Sequence, residues 1–139
     1  MPVPADFDGD GKADISVFRP ADGRWYVFQS AAQAMGVYQW GSNGDIPVPA
    51  DYDGDGRADL AVYRPSNGNW FVYNLATGAY GNYAWGVPGD VPAPRDADGD
   101  GRVDLVVWRP SSGQWFLYYL GSNTYQIITF GVSTDQVIR

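Results

Sequence analysis

PVPADYDGDGRADLAVYRP, residues 47–65, is the stretch that decides the fold, because the chain contains it three times. It appears earlier as PVPADFDGDGKADISVFRP (2–20) and later as PAPRDADGDGRVDLVVWRP (92–110). A fixed period is the signature of a repeat architecture. Asp6, Asp51 and Asp96 stand 45 residues apart, as do Trp25, Trp70 and Trp115, and Asp45, Asp90 and Asp135. The 139 residues therefore divide into units 2–46, 47–91 and 92–136 with a tail at 137–139, all read as one domain (1–139). The first two units agree at 25 of 45 positions, too many for coincidence.

Inside the unit the pattern is that of short strands. A Pro-flanked segment (Val3–Asp6, Val48–Asp51, Ala93–Asp96) leads into the Asp-Gly loop. A second strand, 59–64, is closed by Pro65, which has no amide hydrogen to continue a ladder. The turn Ser66-Asn67-Gly68-Asn69 then delivers a third strand from Trp70, and a looser fourth lies around 81–85. Leu60 and Val62 alternate with Ala61 and Tyr63, so both faces are apolar and each expects a packing partner. Four-stranded antiparallel sheets stacked face to face are the blades of a β-propeller. A parallel β-helix fits less well, because its coils are usually shorter and more regular. The expected fold is all-β, with three four-stranded blades per chain.

Composition agrees. All 16 acidic residues are Asp, a poor helix former, and the chain carries 18 Gly, 10 Pro and 22 aromatics. Net charge is −7 with a single Lys, which excludes the basic footprint of a nucleic-acid binder. With no Cys and no His there are no disulfides, no thiol nucleophile, no His-based triad and no thiolate or imidazole zinc site. No apolar run is long enough to span a membrane.

Twelve of the 16 Asp sit in three copies of D-x-D-x-D-G-x-x-D. These are Asp6, Asp8, Asp10 and Asp14; Asp51, Asp53, Asp55 and Asp59; and Asp96, Asp98, Asp100 and Asp104. Alternate carboxylates in a tight loop converge on a hard cation, and the carbonyl at the seventh position (Lys12, Arg57, Arg102) can add an oxygen. All-oxygen ligation without N or S suits Ca²⁺, about three per chain. Asp-Gly pairs also make plain turns. Against that, two unit charges 4 Å apart repel by about 4 kcal/mol at an effective dielectric of about 20. The loops are not EF-hands, since Val17, Val62 and Val107 occupy the twelfth position, where a bidentate Glu is required.

The loop, the following apolar strand and the aromatic-Gly pair before the next unit (Trp40-Gly41, Trp85-Gly86, Phe130-Gly131) together resemble the FG-GAP/VCBS repeat of integrin α-type β-propellers. The resemblance covers essentially the whole chain. It implies a calcium-loaded propeller whose loop joins the first two strands of each blade. It also implies an extracellular or secreted role in adhesion or recognition, with a glycan or protein as ligand. The N-terminus, Met1-Pro2-Val3-Pro4, is not a signal peptide. The third unit departs slightly, with Ala97 in place of Phe7 and Tyr52, yet loses no carboxylate.

Other residues have competing readings. Arg19, Arg64 and Arg109 could clamp acids or sugars, but three copies in register suit pairing with Asp or carbonyls between units. Trp25, Trp70 and Trp115 could stack on sugars, but at the start of apolar strands they suit a core. The segments 30–37, 75–82 and 120–127 vary most, which fits ligand selectivity or drift alike. Catalysis is disfavoured: a glycosidase needs two differently tuned acids across a cleft, and only Asp22, Asp45, Asp90 and Asp135 lie outside the loops. A non-catalytic binding or scaffold module is expected. A hydrolase or lyase on a propeller is the rival, and a fragment or engineered repeat array without its own ligand is a third reading. Propellers take four to eight blades, so three should close by self-association. A homodimer would give six blades and a homotrimer nine.

Overall fold

The computed structural model describes residues 1–129, so the expectations that fall on Phe130-Gly131, Asp135 and the tail lie outside the described residues. The chain forms three antiparallel sheets in sequence. Strands β1 (Ile15–Arg19), β2 (Arg24–Gln29) and β3 (Ala34–Gln39) make the first. The second has β4 (Ile46–Pro47), β5 (Leu60–Arg64), β6 (Asn69–Tyr73) and β7 (Tyr80–Ala84) in that order. The third runs β8 (Val91–Pro92), β9 (Leu105–Arg109), β10 (Gln114–Tyr119) and β11 (Thr124–Thr129).

The innermost strand starts earlier than the sequence suggests. Ile46 pairs with Tyr63 and Pro47 with Val62, so the last residue of one unit opens the first strand of the next. Pairing then thins out to single bonds, Val48 N to Ala61 O (2.8 Å) and Asp59 N to Ala50 O (2.7 Å). The cause is Pro47 and Pro49, which remove every second amide donor. In the first unit Met1 takes the place of Ile46: Phe18 N donates to Met1 O, and Pro2 bridges Val17. The first sheet is thus three-stranded, its fourth strand reduced to bridges.

The sheets stack through their β5-type and β6-type strands. Phe7, Phe18, Trp25 and Val27 of the first unit pack on Ala58, Leu60 and Val62 of the second. Tyr52, Tyr63, Trp70 and Val72 of the second pack in the same way on Leu105 and Val107 of the third. Leu60, Ala61, Val62 and Tyr63 are all fully buried, as double-faced apolarity requires. The outer face of the first unit is bare, with Ile15 73% and Val17 41% exposed where Leu60 and Val62 are at 0%. On the far face of the third unit Val106 and Trp108 are buried, and Trp115 and Leu117 are half-buried. Trp108 and Trp115 lie with ring centroids 5.1 Å apart, and the Arg95 guanidinium sits over the Trp115 ring.

Candidate metal centres

Each Asp loop is wound on its first carboxylate. In the second unit Asp51 Oδ1 accepts from Gly54 N (2.8 Å) and Asp55 N (3.2 Å), while Oδ2 accepts from Gly56 N (2.9 Å). Asp6 and Asp96 do the same for their loops. Asp53 and Asp55 each accept from the amide two residues on, making successive Asx turns. Such a winding needs left-handed backbone at Gly54 and Gly56 (φ +80° and +84°), which glycine adopts without steric cost. Asp59, immediately before β5, closes back on the loop, where its Oδ2 accepts from Tyr52 N (2.9 Å).

The carboxylates converge, though not identically. Oxygens of Asp96, Asp98, Asp100 and Asp104 all lie within 4.8 Å of one another, as do those of Asp6, Asp8 and Asp10, and those of Asp51, Asp53 and Asp59. Asp14 and Asp55 fall outside these groups, and each is engaged by a side chain beyond its own loop. Asp14 Oδ1 accepts from Ser30 N and Ser30 Oγ (both 2.9 Å), and its Oδ2 from Phe7 N and Asp8 N. In the second unit Asn74 Nδ2 donates to both Asp53 Oδ2 and Asp55 Oδ2. Ser30 opens the most variable segment and Asn74 immediately precedes its counterpart, so this segment edges the Asp loops.

Electrostatics follow the same division. Burial raises the Asp59 carboxyl to about 7, opposed by the Tyr52 amide and reinforced by the charges of Asp53, Asp55 and Asp51. Asp104 is likewise raised, first by burial and then by Asp98 and Asp100. Burial also pushes Asp14 upward, but the Ser30, Phe7 and Asp8 donors outweigh it and hold the group below the usual carboxylate range. Buried carboxylates facing other carboxylates are what a hard cation relieves. The all-oxygen donor set fits such an ion in kind.

The seventh-position residues make side-chain contacts that the spacing does not suggest. The amides of Lys12, Arg57 and Arg102 each donate to the Asp two places before (2.9 Å). The long stems reach back over the preceding loop. Arg57 Cγ lies 2.9 Å from where a Cβ on Gly9 would stand, and Arg102 Cγ equally close at Gly54, while Arg102 Nε donates to Tyr52 O (3.1 Å). Backbone bonds join the same loops: Ala58 N to Asp6 O (2.7 Å) and Val103 N to Asp51 O (2.8 Å).

The other candidates have structural jobs. Arg64 donates Nε and Nη2 to Asp45 (2.8 and 2.9 Å), and Arg109 does the same to Asp90, each bridging one unit to the next. Arg19 instead meets Asp22 of its own turn at 3.8 Å and stacks its guanidinium over the Tyr26 ring, both within the first unit. Trp25 and Trp70 are fully buried core residues whose Nε1 donates to Trp40 O and Trp85 O (both 2.8 Å). Trp40 and Trp85 in turn donate Nε1 across the interface to Phe71 O and Phe116 O (3.0 and 3.1 Å). That inter-unit bond escaped sequence reasoning, although its marker, an aromatic-Gly pair at a fixed 45-residue register, was in view.

Stacked antiparallel sheets, each opening on an Asp loop and locked to its neighbour by one set of contacts, define a repeat module of β-propeller blade type. A family model described as FG-GAP-like repeat matches residues 6–62, from the first Asp loop into β5 of the second unit. Those residues carry an FG-GAP-like repeat, in agreement with the FG-GAP/VCBS resemblance. No curated protein and no solved structure matches the chain. Among the described residues no helix is long and apolar enough to cross a membrane.

Proposed function

We propose that the chain is a calcium-binding propeller module acting outside the cell as a rigid recognition, adhesion or scaffold surface. The observation that carries this reading is the convergence of Asp oxygens within 4.8 Å in all three loops. Asp96, Asp98, Asp100 and Asp104 would hold one ion. Asp6, Asp8 and Asp10 would hold a second, and Asp51, Asp53 and Asp59 a third. Asp14 and Asp55 would join once Ser30 and Asn74 yield, and the carbonyls of Lys12, Arg57 and Arg102 would complete each shell. The ion would neutralise the loop and fix the entry of the β5-type strand, which carries the inter-unit core.

Extracellular modules bind Ca²⁺ at about 10⁻⁴–10⁻³ M, so about 1 mM ion stabilises by about 0.4–1.4 kcal/mol per site. Calcium titration of metal-stripped protein should give three sites per chain, and chelation should lower the melting temperature. An identical melt with and without chelator, on protein proven metal-free, would sink the reading. Asp55→Ala should weaken the second site and leave the outer two loaded.

Catalysis finds little support outside the loops. Asp45 and Asp90 are committed to Arg64 and Arg109, and Asp22 sits on an exposed turn. Glycan binding is favoured by one feature, a cleft of about 410 Å³ lined by Tyr38, Trp40, Tyr73 and Tyr80 between β3 and β7. A glycan array run beside a general hydrolase screen separates recognition from turnover.

A further inference from the structure

We infer that Asn74 sets its own amide in the second Asp loop where a cation would act, so that the three loops take calcium unequally and the second loads last. This rests on the calcium binding proposed above and assigns a residue that grades it. Each loop first spends the same oxygens on its own backbone. Asp53 Oδ1 and Asp55 Oδ1 accept the amides of Asp55 and Arg57, and Asp98 Oδ1 and Asp100 Oδ1 accept those of Asp100 and Arg102. The Oδ2 atoms at these two positions are what each loop keeps for an ion. In the third loop neither Asp98 Oδ2 nor Asp100 Oδ2 meets a hydrogen-bond donor among the described residues, and all four carboxylates gather. Gly121 leaves the room for this, since a Cβ there would stand 2.3 Å from Asp100 Oδ2.

In the second loop both oxygens are taken. Asn74 Nδ2 donates to Asp53 Oδ2 and to Asp55 Oδ2, one N–H for each. The orientation of this amide is fixed, because Asn74 Oδ1 accepts from Ala76 N (2.8 Å) and Thr77 N (3.0 Å), and a flip would set donors against donors. The residue is 8% exposed, and its backbone is tied to Ala79 O and Gly78 N (both 2.8 Å). The first loop is managed differently. Ala31 N, the counterpart of Ala76 N, donates straight to Asp8 Oδ2 (3.0 Å), and Ser30 Oγ reaches Asp10 Oδ2 only at 3.4 Å. Asn74 thus stands as a relay between the turn and the loop. Its counterparts are Gln29 and Tyr119, and Tyr119 Oη is spent on Gln126 Oε1. Two hydrogen bonds to ionised carboxylates must be given up before an ion can take these oxygens, which should weaken the second site about tenfold or more.

The amides of Gly11, Gly56 and Gly101 each donate to the first Asp of their own loop, so their NMR signals report the three loops separately. Calcium titrated into the metal-stripped chain should move Gly56 at a concentration about tenfold or more above that for Gly101. Asn74→Asp keeps an oxygen for Ala76 N and Thr77 N but turns the donor into a carboxylate oxygen facing Asp53 and Asp55. It should lower the Gly56 midpoint about tenfold or more, leave those of Gly11 and Gly101 in place, and lower the melting temperature of the metal-free protein. A purely structural Asn74 would lose stability and affinity together, whereas here the two move in opposite directions. If Asn74→Asp does not fold without calcium, Asn74→Ser, with an oxygen for the turn and no N–H to give, should lower the Gly56 midpoint too. Coincident midpoints in the unaltered chain, or a Gly56 midpoint that does not fall in the folded variant, would overturn the inference and leave calcium binding standing. No shift at any of the three glycines would overturn both.

Discussion

Arg19, Arg64 and Arg109 occupy one motif position and should differ sharply in what they contribute. Arg109 donates twice to Asp90, whose side chain is 1% exposed and whose Oδ2 also accepts from Val87 N. Its guanidinium carbon stands 4.0 Å from the Phe116 ring centroid. Arg109→Ala leaves a buried carboxylate with one amide for company, a loss that costs about 3–5 kcal/mol in buried pairs. Partial exposure of Arg109, 26%, places the value near the lower bound even after adding about 0.5–1 kcal/mol for the lost ring contact. With a urea slope of about 2 kcal/mol per molar, the midpoint should fall by about 1.5 M. Asp90→Ala should cost about 2 kcal/mol, and the double variant less than the sum, with a coupling of about 2 kcal/mol. Arg19, with its 3.8 Å pair to Asp22 and a 54% exposed side chain, should lose under about 1 kcal/mol on truncation. A coupling below about 0.5 kcal/mol, or an Arg19→Ala cost equal to that of Arg109→Ala, would refute the assignment of these pairs as inter-unit locks.

Three further outcomes are expected. Among the described residues Tyr63 Oη is buried without a hydrogen-bond partner, so Tyr63→Phe should be neutral or raise stability by about 1 kcal/mol, measured by urea midpoint; a loss above about 1 kcal/mol would contradict it. Gly68→Ala should destabilise far more than Gly89→Ala, although both have positive φ (+73° and +93°). A Cβ on Gly68 would stand 2.2 Å from Gly86 O and one on Gly89 would meet nothing, so equal melting temperatures would discredit this turn geometry. Amide exchange should be slowest in β5 and β6, which contribute to both core clusters, and faster in β1, where Ile15 and Val17 are exposed; equal protection would argue against a nearest-neighbour stack.

Much of this fold is legible because the period carries it. Trp25 and Trp70 fall at one register position in front of strands apolar on both faces, and burial of both follows from that pattern. The Asp loops are legible for a related reason, since alternate carboxylates around Gly54 and Gly56 specify a wound loop by local chemistry alone. The differences between loops are not local. Whether the last Asp is satisfied depends on Ser30, which meets Asp14 from 16 residues away, and whether the middle pair is bridged depends on Asn74. No rule of spacing inside the nine-residue motif contains that information. The offset of β4 was hidden too, because Pro47 and Pro49 suggest a strand start while the pairing donor is supplied by Ile46.

The aromatic-Gly pair shows how one motif joins both scales. Gly86 lets the chain turn at φ +133° and puts its carbonyl against Gly68, where any side chain would clash. The preceding Trp85 uses its carbonyl to hold Trp70 within the blade and its indole N–H to hold Phe116 O of the next blade. Its ring meanwhile packs on Tyr118 and Tyr125. The Arg109–Asp90 pair and the Val103–Asp51 backbone bond cross the same interface at other heights. The 1–2 interface repeats all three with Trp40, Arg64–Asp45 and Ala58–Asp6. A contact set that recurs at each junction fixes the relative placement of neighbours without reference to the rest of the array. Stability then accrues junction by junction, and the Asp loops, which lie at one end of every junction, are where a bound ion would act on all of them at once.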